Sequence, residues 1–248
     1  MKIGIITQAR TTSYRLPLKI LLKANEETLL ETHLKRLKLT KYPVFVATTL
    51  NAADDIIVKI CHEHNFQFYR GSESDVLARF YECATLYQLD IIVRATSDCP
   101  LIDTDSITNG VKAYIAAVGQ FNKHDLLYMS NTIVRTFPKG MDFEIFSYKM
   151  LEMAHQNATT KSEREHVTPY FYEGKEKEIK LIDILNQKNT SNLRITLDYL
   201  EDYSLIKTLI EKYNALNLPL EDIEKLLQNN NELQDLIAKC KTAALQLS

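Results

Sequence analysis

Three cations, Arg10, Arg15 and Lys19, crowd into a polar stretch directly after a short apolar run over residues 3–7. A run of that length reads as a buried strand. The region just past the carboxyl end of such a strand is where an open α/β sheet binds its ligand. Arg presents a planar fork of donors and Lys a point charge, so the trio suits a polyphosphate held by charge-assisted hydrogen bonds, with Pro17 stiffening the last turn. A solvated basic loop is the alternative for these residues taken alone. Asp98 follows another apolar run, in the Pro-stiffened loop Ser97-Asp98-Cys99-Pro100. It is a hard oxygen donor suited to Mg²⁺, which takes one or two carboxylates plus substrate phosphates. Asp198 repeats the pattern at the end of residues 193–197. The competing roles are a turn cap for Asp98 and helix N-caps for Asp103 and Asp198.

Composition narrows the classes. The 248 residues are 45% hydrophobic and 25% charged, with a formal net charge of −2, which points to an ordinary globular protein and away from a nucleic-acid or membrane-surface binder. No apolar run approaches the ~18–20 residues of a membrane span, and no leader pattern precedes the first strand, so a cytoplasmic protein is expected. Cys61, Cys83, Cys99 and Cys240 have no zinc-ligand spacing and read as free thiols. The six glycines allow neither a dinucleotide fingerprint nor a P-loop, so any anion after the first strand must be gripped mainly by side chains. His33, His62, His64, His124 and His155 read as surface or packing residues.

The elements that must position these groups alternate. Strands are expected at 3–7, 44–48, 66–69 and 90–95, and helices at 28–39, 53–64, 75–86 and 104–117, the last capped by Asp103 or Thr104. This order implies a single-domain α/β fold with a mostly parallel sheet flanked by helices, its post-strand loops along one edge. Further strands are expected at 126–130, 141–146, 179–184 and 193–197, and helices at 147–156, 163–172, 201–213, 220–227 and 232–245. If Asp98 and Asp198 end neighbouring strands, their carboxylates converge, and two like charges so close should push at least one pKa upward.

Seven blocks carry a resemblance, in order along essentially the whole chain: Q-A-R-x-x-S-x-R-L-P-x-K (8–19), V-A-T-T (46–49), R-G-S-E-x-D-V-L (70–77), S-D-C-P-L-I-D (97–103), R-T-F-P-x-G-x-D-x-E-x-F (135–146), E-R-E-H-V-T-P-Y (163–170) and R-x-T-x-D-Y-x-E-D (194–202). The chain resembles cytidylyltransferases of the SpsF type, relatives of the CMP-Kdo and CMP-sialate synthetases. The resemblance implies a GT-A-like nucleotidyltransferase fold, with residues 1–120 as the nucleotide half, 121–200 as the acceptor and dimerisation half, and 201–248 as closing helices. It implies attack of a sugar hydroxyl on the α-phosphate of CTP, releasing pyrophosphate, in surface polysaccharide or glycan synthesis. Gln8, Ala9, Arg10, Arg15 and Lys19 would bind the nucleotide, the three cations its triphosphate, and Gly71, Ser72, Asp75 and Arg79 would lie near the nucleoside. Asp98 and Asp198 would hold Mg²⁺ and, with Arg15 and Lys19, form the catalytic set.

Arg135, Lys139, Asp142, Glu144, Glu165 and His166 fall in the region that relatives use for the sugar. Arg135 and Lys139 could grip a carboxylate, which favours an acidic acceptor; a homodimer and a monomer both stay open. Where the family's first loop reads M-G-S-x-R-L-P-G-K, this chain has Thr11, Thr12 and Leu18 in place of a Met and two glycines, so easy φ > 0 conformations are lost and the loop should lean on its cations. Two alternatives are a GT-A glycosyltransferase, for which Asp103-Thr104-Asp105 is a D-x-D in the wrong place, and a non-catalytic homologue.

Overall fold

Ile5 and Ile6 are adjacent and fully buried, yet they pack into two different hydrophobic clusters. Val46 and Ala47 divide in the same way. Strands covered on both faces read as continuous apolar runs rather than as alternating ones. The computed structural model describes residues 1–120, 126–173 and 178–246; His124 lies outside them. In chain order come β1 (Ile3–Gln8), a small hairpin of β2 (Lys23–Ala24) and β3 (Glu27–Thr28), α1 (Leu29–Lys38), β4 (Val44–Thr49), α2 (Asp55–Glu63), β5 (Gln67–Gly71), α3 (Val76–Leu86), β6 (Ile91–Thr96) and α4 (Thr104–Gln120). Then follow β7 (Leu126–Ser130), β8 (Phe143–Ser147), α5 (Tyr148–Asn157), α6 (Lys161–His166), α7 (Pro169–Tyr172), β9 (Ile179–Asp183), α8 (Leu200–Glu211), α9 (Leu220–Asn229) and α10 (Asn231–Gln246).

Seven strands form one sheet in the order β5-β4-β1-β6-β8-β7-β9. Pairing is parallel from β5 through β6 and again between β7 and β9; β8 alone runs antiparallel to both its neighbours. One face packs on Leu30, Leu34 and Leu37 of α1, Ile57 and Ile60 of α2, and Ile107 and Val111 of α4. The other packs on Leu77 and Phe80 of α3 and Met150 and Leu151 of α5. A third cluster joins α8, α9 and α10 to Leu193, Ile195 and Leu197. Among the described residues no helix is long and apolar enough to cross a membrane.

Local signals explain the helix starts. Thr28 accepts from the Glu31 N–H while Glu31 reaches back to Thr28, a reciprocal cap for α1. Asp103 accepts from the Ser106 N–H at 2.8 Å and so caps α4. Two expectations fail. Residues 193–197 do not join the sheet; they are extended, with a single bridge between Lys139 and Arg194. The helix expected over 163–172 is broken into α6 and α7, because Val167 takes φ +71°, ψ −52° and the Thr168 N–H closes a three-residue turn onto the His166 carbonyl at 2.8 Å. That turn is rare and strained for a β-branched residue.

His33 is a packing residue, as expected, and a pH-sensitive one. It is fully buried, bonded to Thr7 Oγ1 and to the Cys99 carbonyl, both at 2.9 Å, and burial pushes its pKa down to about 4. The folded pKa lies below the unfolded one, so the stabilisation is complete above about pH 6.5 and is lost as pH falls toward 4. Urea melts should therefore show stability falling by up to about 3 kcal/mol over that window from this group alone. His33→Gln should flatten that part of the profile; an unchanged slope would remove His33 as its source.

Candidate active site at the strand ends

The loops following β1 and β6 meet at the carboxyl edge of the sheet around a cavity of about 370 Å³. Gln8, Ala9, Arg10, Arg15 and Lys19 line it from the first loop, Asp98 from the second, and Asp198, Glu165 and His166 from later segments. The root of the first loop is tied by buried Asp54, which accepts from both the N–H and the hydroxyl of Thr11 at 2.7 Å and from the Thr49 hydroxyl. Glu73 accepts from Arg10 at 3.2 Å, from Asn51 at 2.6 Å and from Thr12. Leu18, standing in place of a family glycine, adopts the left-handed conformation such a glycine would take, with φ +59°.

The two aspartates converge, although not as neighbouring strand ends. The Asp98 carbonyl accepts from the Leu197 N–H at 2.8 Å and from the Thr196 hydroxyl at 3.2 Å, which lashes the two loops together directly. Gly140 makes room for this. Its φ is +107°, and a Cβ there would lie 2.6 Å from the Ile195 carbonyl carbon, so only glycine lets residues 139–141 run against 194–196. Lys19 then sits between the carboxylates, with Nζ 2.6 Å from the Leu197 carbonyl, 3.1 Å from Asp198 and 3.4 Å from Asp98. Arg15 donates to Asp198 at 2.7 Å.

These contacts reverse the expected upward pKa. Burial alone would raise the Asp198 carboxyl, but the Lys19 charge and the Arg15 hydrogen bond hold it well below the usual carboxylate range. Arg194 completes the cage. It donates to both oxygens of Asp202 at 2.9 and 2.8 Å and to Asp198 at 3.1 Å. Asp202 also accepts the N–H groups of Asp198 and Tyr199, which fixes the start of α8. Asp198 is thus held by that helix start without being its cap.

Arg79 is 1% exposed, lines the cavity and donates to the Ser72 carbonyl at 2.9 Å, while its Nε has no hydrogen-bond partner among the described residues. Burial, reinforced by the Arg10 cation, brings its pKa down to about 10. Such a guanidinium is set for an incoming acceptor atom. Gly71, Ser72 and Asp75, expected near a nucleoside, do not line the cavity. Gly71 leaves space for the Arg79 Cγ, Ser72 receives its guanidinium, and Asp75 caps α3 through the Ala78 N–H at 2.9 Å.

A second cavity of about 570 Å³ adjoins the first and shares Arg94, Thr96 and His166 with it. It holds four residues expected at an acceptor, Arg135, Asp142, Glu144 and the shared His166. Glu165 lies on the first cavity only, and Lys139 is exposed and lines neither. Arg135 is not free, since Asp142 takes both of its terminal nitrogens at 2.6 and 2.9 Å. The expected carboxylate grip by Arg135 and Lys139 therefore loses its geometry. Glu144 is a hub, accepting from Arg94, from the Tyr128 hydroxyl and from the Thr168 hydroxyl, the last two at 2.7 Å. Asp54, Arg94, Gly140 and the Arg194–Asp202 pair were not singled out from the sequence. Only the spacing of Arg194, Asp198 and Asp202, four residues apart each time, could have signalled the last.

Among the described residues no group of three or more His, Cys, Asp or Glu is placed to hold a metal. Asp98 and Asp198 are hard oxygen donors facing one cavity, a donor type that fits Mg²⁺ when phosphates supply the remaining ligands, and Lys19, which now lies between the two carboxylates, would have to give way to the ion.

A mostly parallel sheet with a cationic first loop facing two carboxylates at its carboxyl edge is the architecture of a nucleotidyltransferase, and similarity to known proteins agrees with it. The chain belongs to the cytidylyltransferase family, whose sequence profile matches residues 3–239. It is similar to the solved structure of a cytidylyltransferase from Leptospira borgpetersenii, with 35% identity, 96% and 97% of the two chains covered and a TM-score of 0.87. It is similar to the spore coat polysaccharide biosynthesis protein SpsF of Bacillus subtilis, 27% identical over 84% of this chain and 85% of that one. The fold is also that of a CMP:2-keto-3-deoxy-manno-octonic acid synthetase solved with CTP, at 13% identity, coverage of 85% and 98%, and a TM-score of 0.60.

Proposed function

We propose that this protein is a Mg²⁺-dependent cytidylyltransferase that moves CMP from CTP to a sugar hydroxyl and releases pyrophosphate. The observation that carries the reading is the cluster in which Lys19 bridges Asp98 and Asp198 beside Arg15, at the edge of a cavity also lined by Arg79. Arg10, Arg15 and Lys19 bind the triphosphate and neutralise the charge that grows on departing pyrophosphate. Asp98 and Asp198 hold Mg²⁺, which when bound supplies further charge stabilisation at the phosphates. His166 and Arg94, common to both cavities, mark where the attacking hydroxyl meets the α-phosphate. Glu165 and His166 close the first cavity on the acceptor side.

The family match supports cytidine as the base, and the name of the Bacillus subtilis relative supports a place in surface-glycan synthesis. The glycosyltransferase alternative loses its metal motif, since Asp103 caps α4.

A thermal-shift series with the four nucleoside triphosphates tests the base. At a hundredfold excess over Kd, CTP with Mg²⁺ should add about 2.7 kcal/mol. For a chain of this size that raises Tm by about 5–10 °C, with ATP, GTP and UTP giving less. Equal shifts from all four would leave only a polyphosphate site.

A further inference from the structure

Both guanidiniums in the second cavity are already matched to carboxylates of the chain itself. Asp142 holds Arg135 by a two-pronged pair, and Glu144 holds Arg94. The two pairs cancel in charge, and Lys139 lies outside. A carboxylate entering here would have to displace Asp142 from a bidentate partner or rest beside Asp142 and Glu144 in a partly desolvated site, and either course is unfavourable. Hydroxyls fare differently. The Arg135 and Asp142 side chains remain 31% and 30% exposed, so together they offer donors and acceptors side by side, the pattern that neighbouring sugar hydroxyls satisfy. Thr96 and Thr132 add to the polar wall.

We infer that the acceptor is a sugar without a carboxylate, recognised through its hydroxyls, and that Asp142 excludes sugar acids by occupying Arg135. The inference rests on the cytidylyltransferase reading of the adjoining cavity and goes beyond it by fixing the chemical class of the acceptor. Asp142 is a specificity-determining residue here, since it leaves the nucleotide cavity untouched.

The probe is 2-keto-3-deoxy-manno-octonate, titrated calorimetrically into wild type and Asp142→Asn, with and without Mg²⁺ and a CTP analogue that cannot be cleaved at the α-phosphate. Wild type should bind the acid no better than millimolar, and Asp142→Asn, which frees the Arg135 fork, should gain about tenfold or more. Asp142→Ser serves if the Asn variant does not fold, and the wild-type arm stands without either. Wild-type binding tighter than about 1 mM, or variant affinity equal to that of wild type, would overturn the inference. Failure of the analogue to bind in any arm would instead count against the cytidylyltransferase reading, because the titrations without nucleotide still report on the acid.

Discussion

On the proposed reading, in which Asp98 holds Mg²⁺, Asp98→Asn is expected to lower CTP-dependent pyrophosphate release by about 10³-fold, a loss of roughly 4 kcal/mol of transition-state stabilisation. The substitution keeps the shape of the side chain and removes only its charge. What ties Asp98 into the fold is its backbone carbonyl, which receives Leu197 and Thr196, while its carboxylate touches Lys19 at 3.4 Å and is 30% exposed. Stability should therefore change little. Asp198→Asn should cost as much activity, but it also leaves Arg15, Lys19 and Arg194 crowded around a neutral amide and should lower Tm as well. The readout that needs no acceptor is the gain in CTP affinity on adding Mg²⁺, which Asp98→Asn should abolish. A variant that kept that gain would end the metal assignment.

Arg194→Leu should destabilise the protein by about 3–5 kcal/mol, the cost of breaking a buried ion pair from one side. Asp202 is 1% exposed, and without Arg194 its charge would keep no cation partner, only the N–H groups of Asp198 and Tyr199 and the Cys240 thiol. For a chain of this length the loss corresponds to a Tm lower by about 6–20 °C. Arg194→Leu combined with Asp202→Leu should recover much of it, because paired apolar side chains commonly replace a buried ion pair at little cost. A single variant melting within two or three degrees of wild type would mean that the pair is worth no more than a surface contact.

The strands that carry the site were legible because burial on both faces leaves an apolar run in the sequence, as in residues 3–7 and 90–95. The break in the helix expected over 163–172 had one local signal, since Pro169 cannot continue a helix and disfavours helical backbone at Thr168, so the chain restarts there as α7. The positive φ of the fully buried Val167 had none. Residues 193–197 deceive in the opposite sense. They are as apolar as a strand, but they bury that surface against α8, α9 and α10 instead of joining the sheet.

The order of charges along the chain, by itself, singled out the groups that meet at this edge of the sheet: the three cations of the first loop and Asp98, each following a strand, and Asp198, which follows an apolar run that is not one. Period and post-strand position are local properties, and for the loops after β1 and β6 they survive folding. Which charges are spent on each other was decided only in three dimensions. Arg15 meets Asp198 across 183 residues of chain and Lys19 meets Asp98 across 79. Arg135 looked free for a substrate until Asp142, on the far side of its turn, took both nitrogens. An ion pair depends on distances of a few ångströms between groups whose spacing in sequence carries no signal, so the chemistry left over for a ligand is a property of the folded chain.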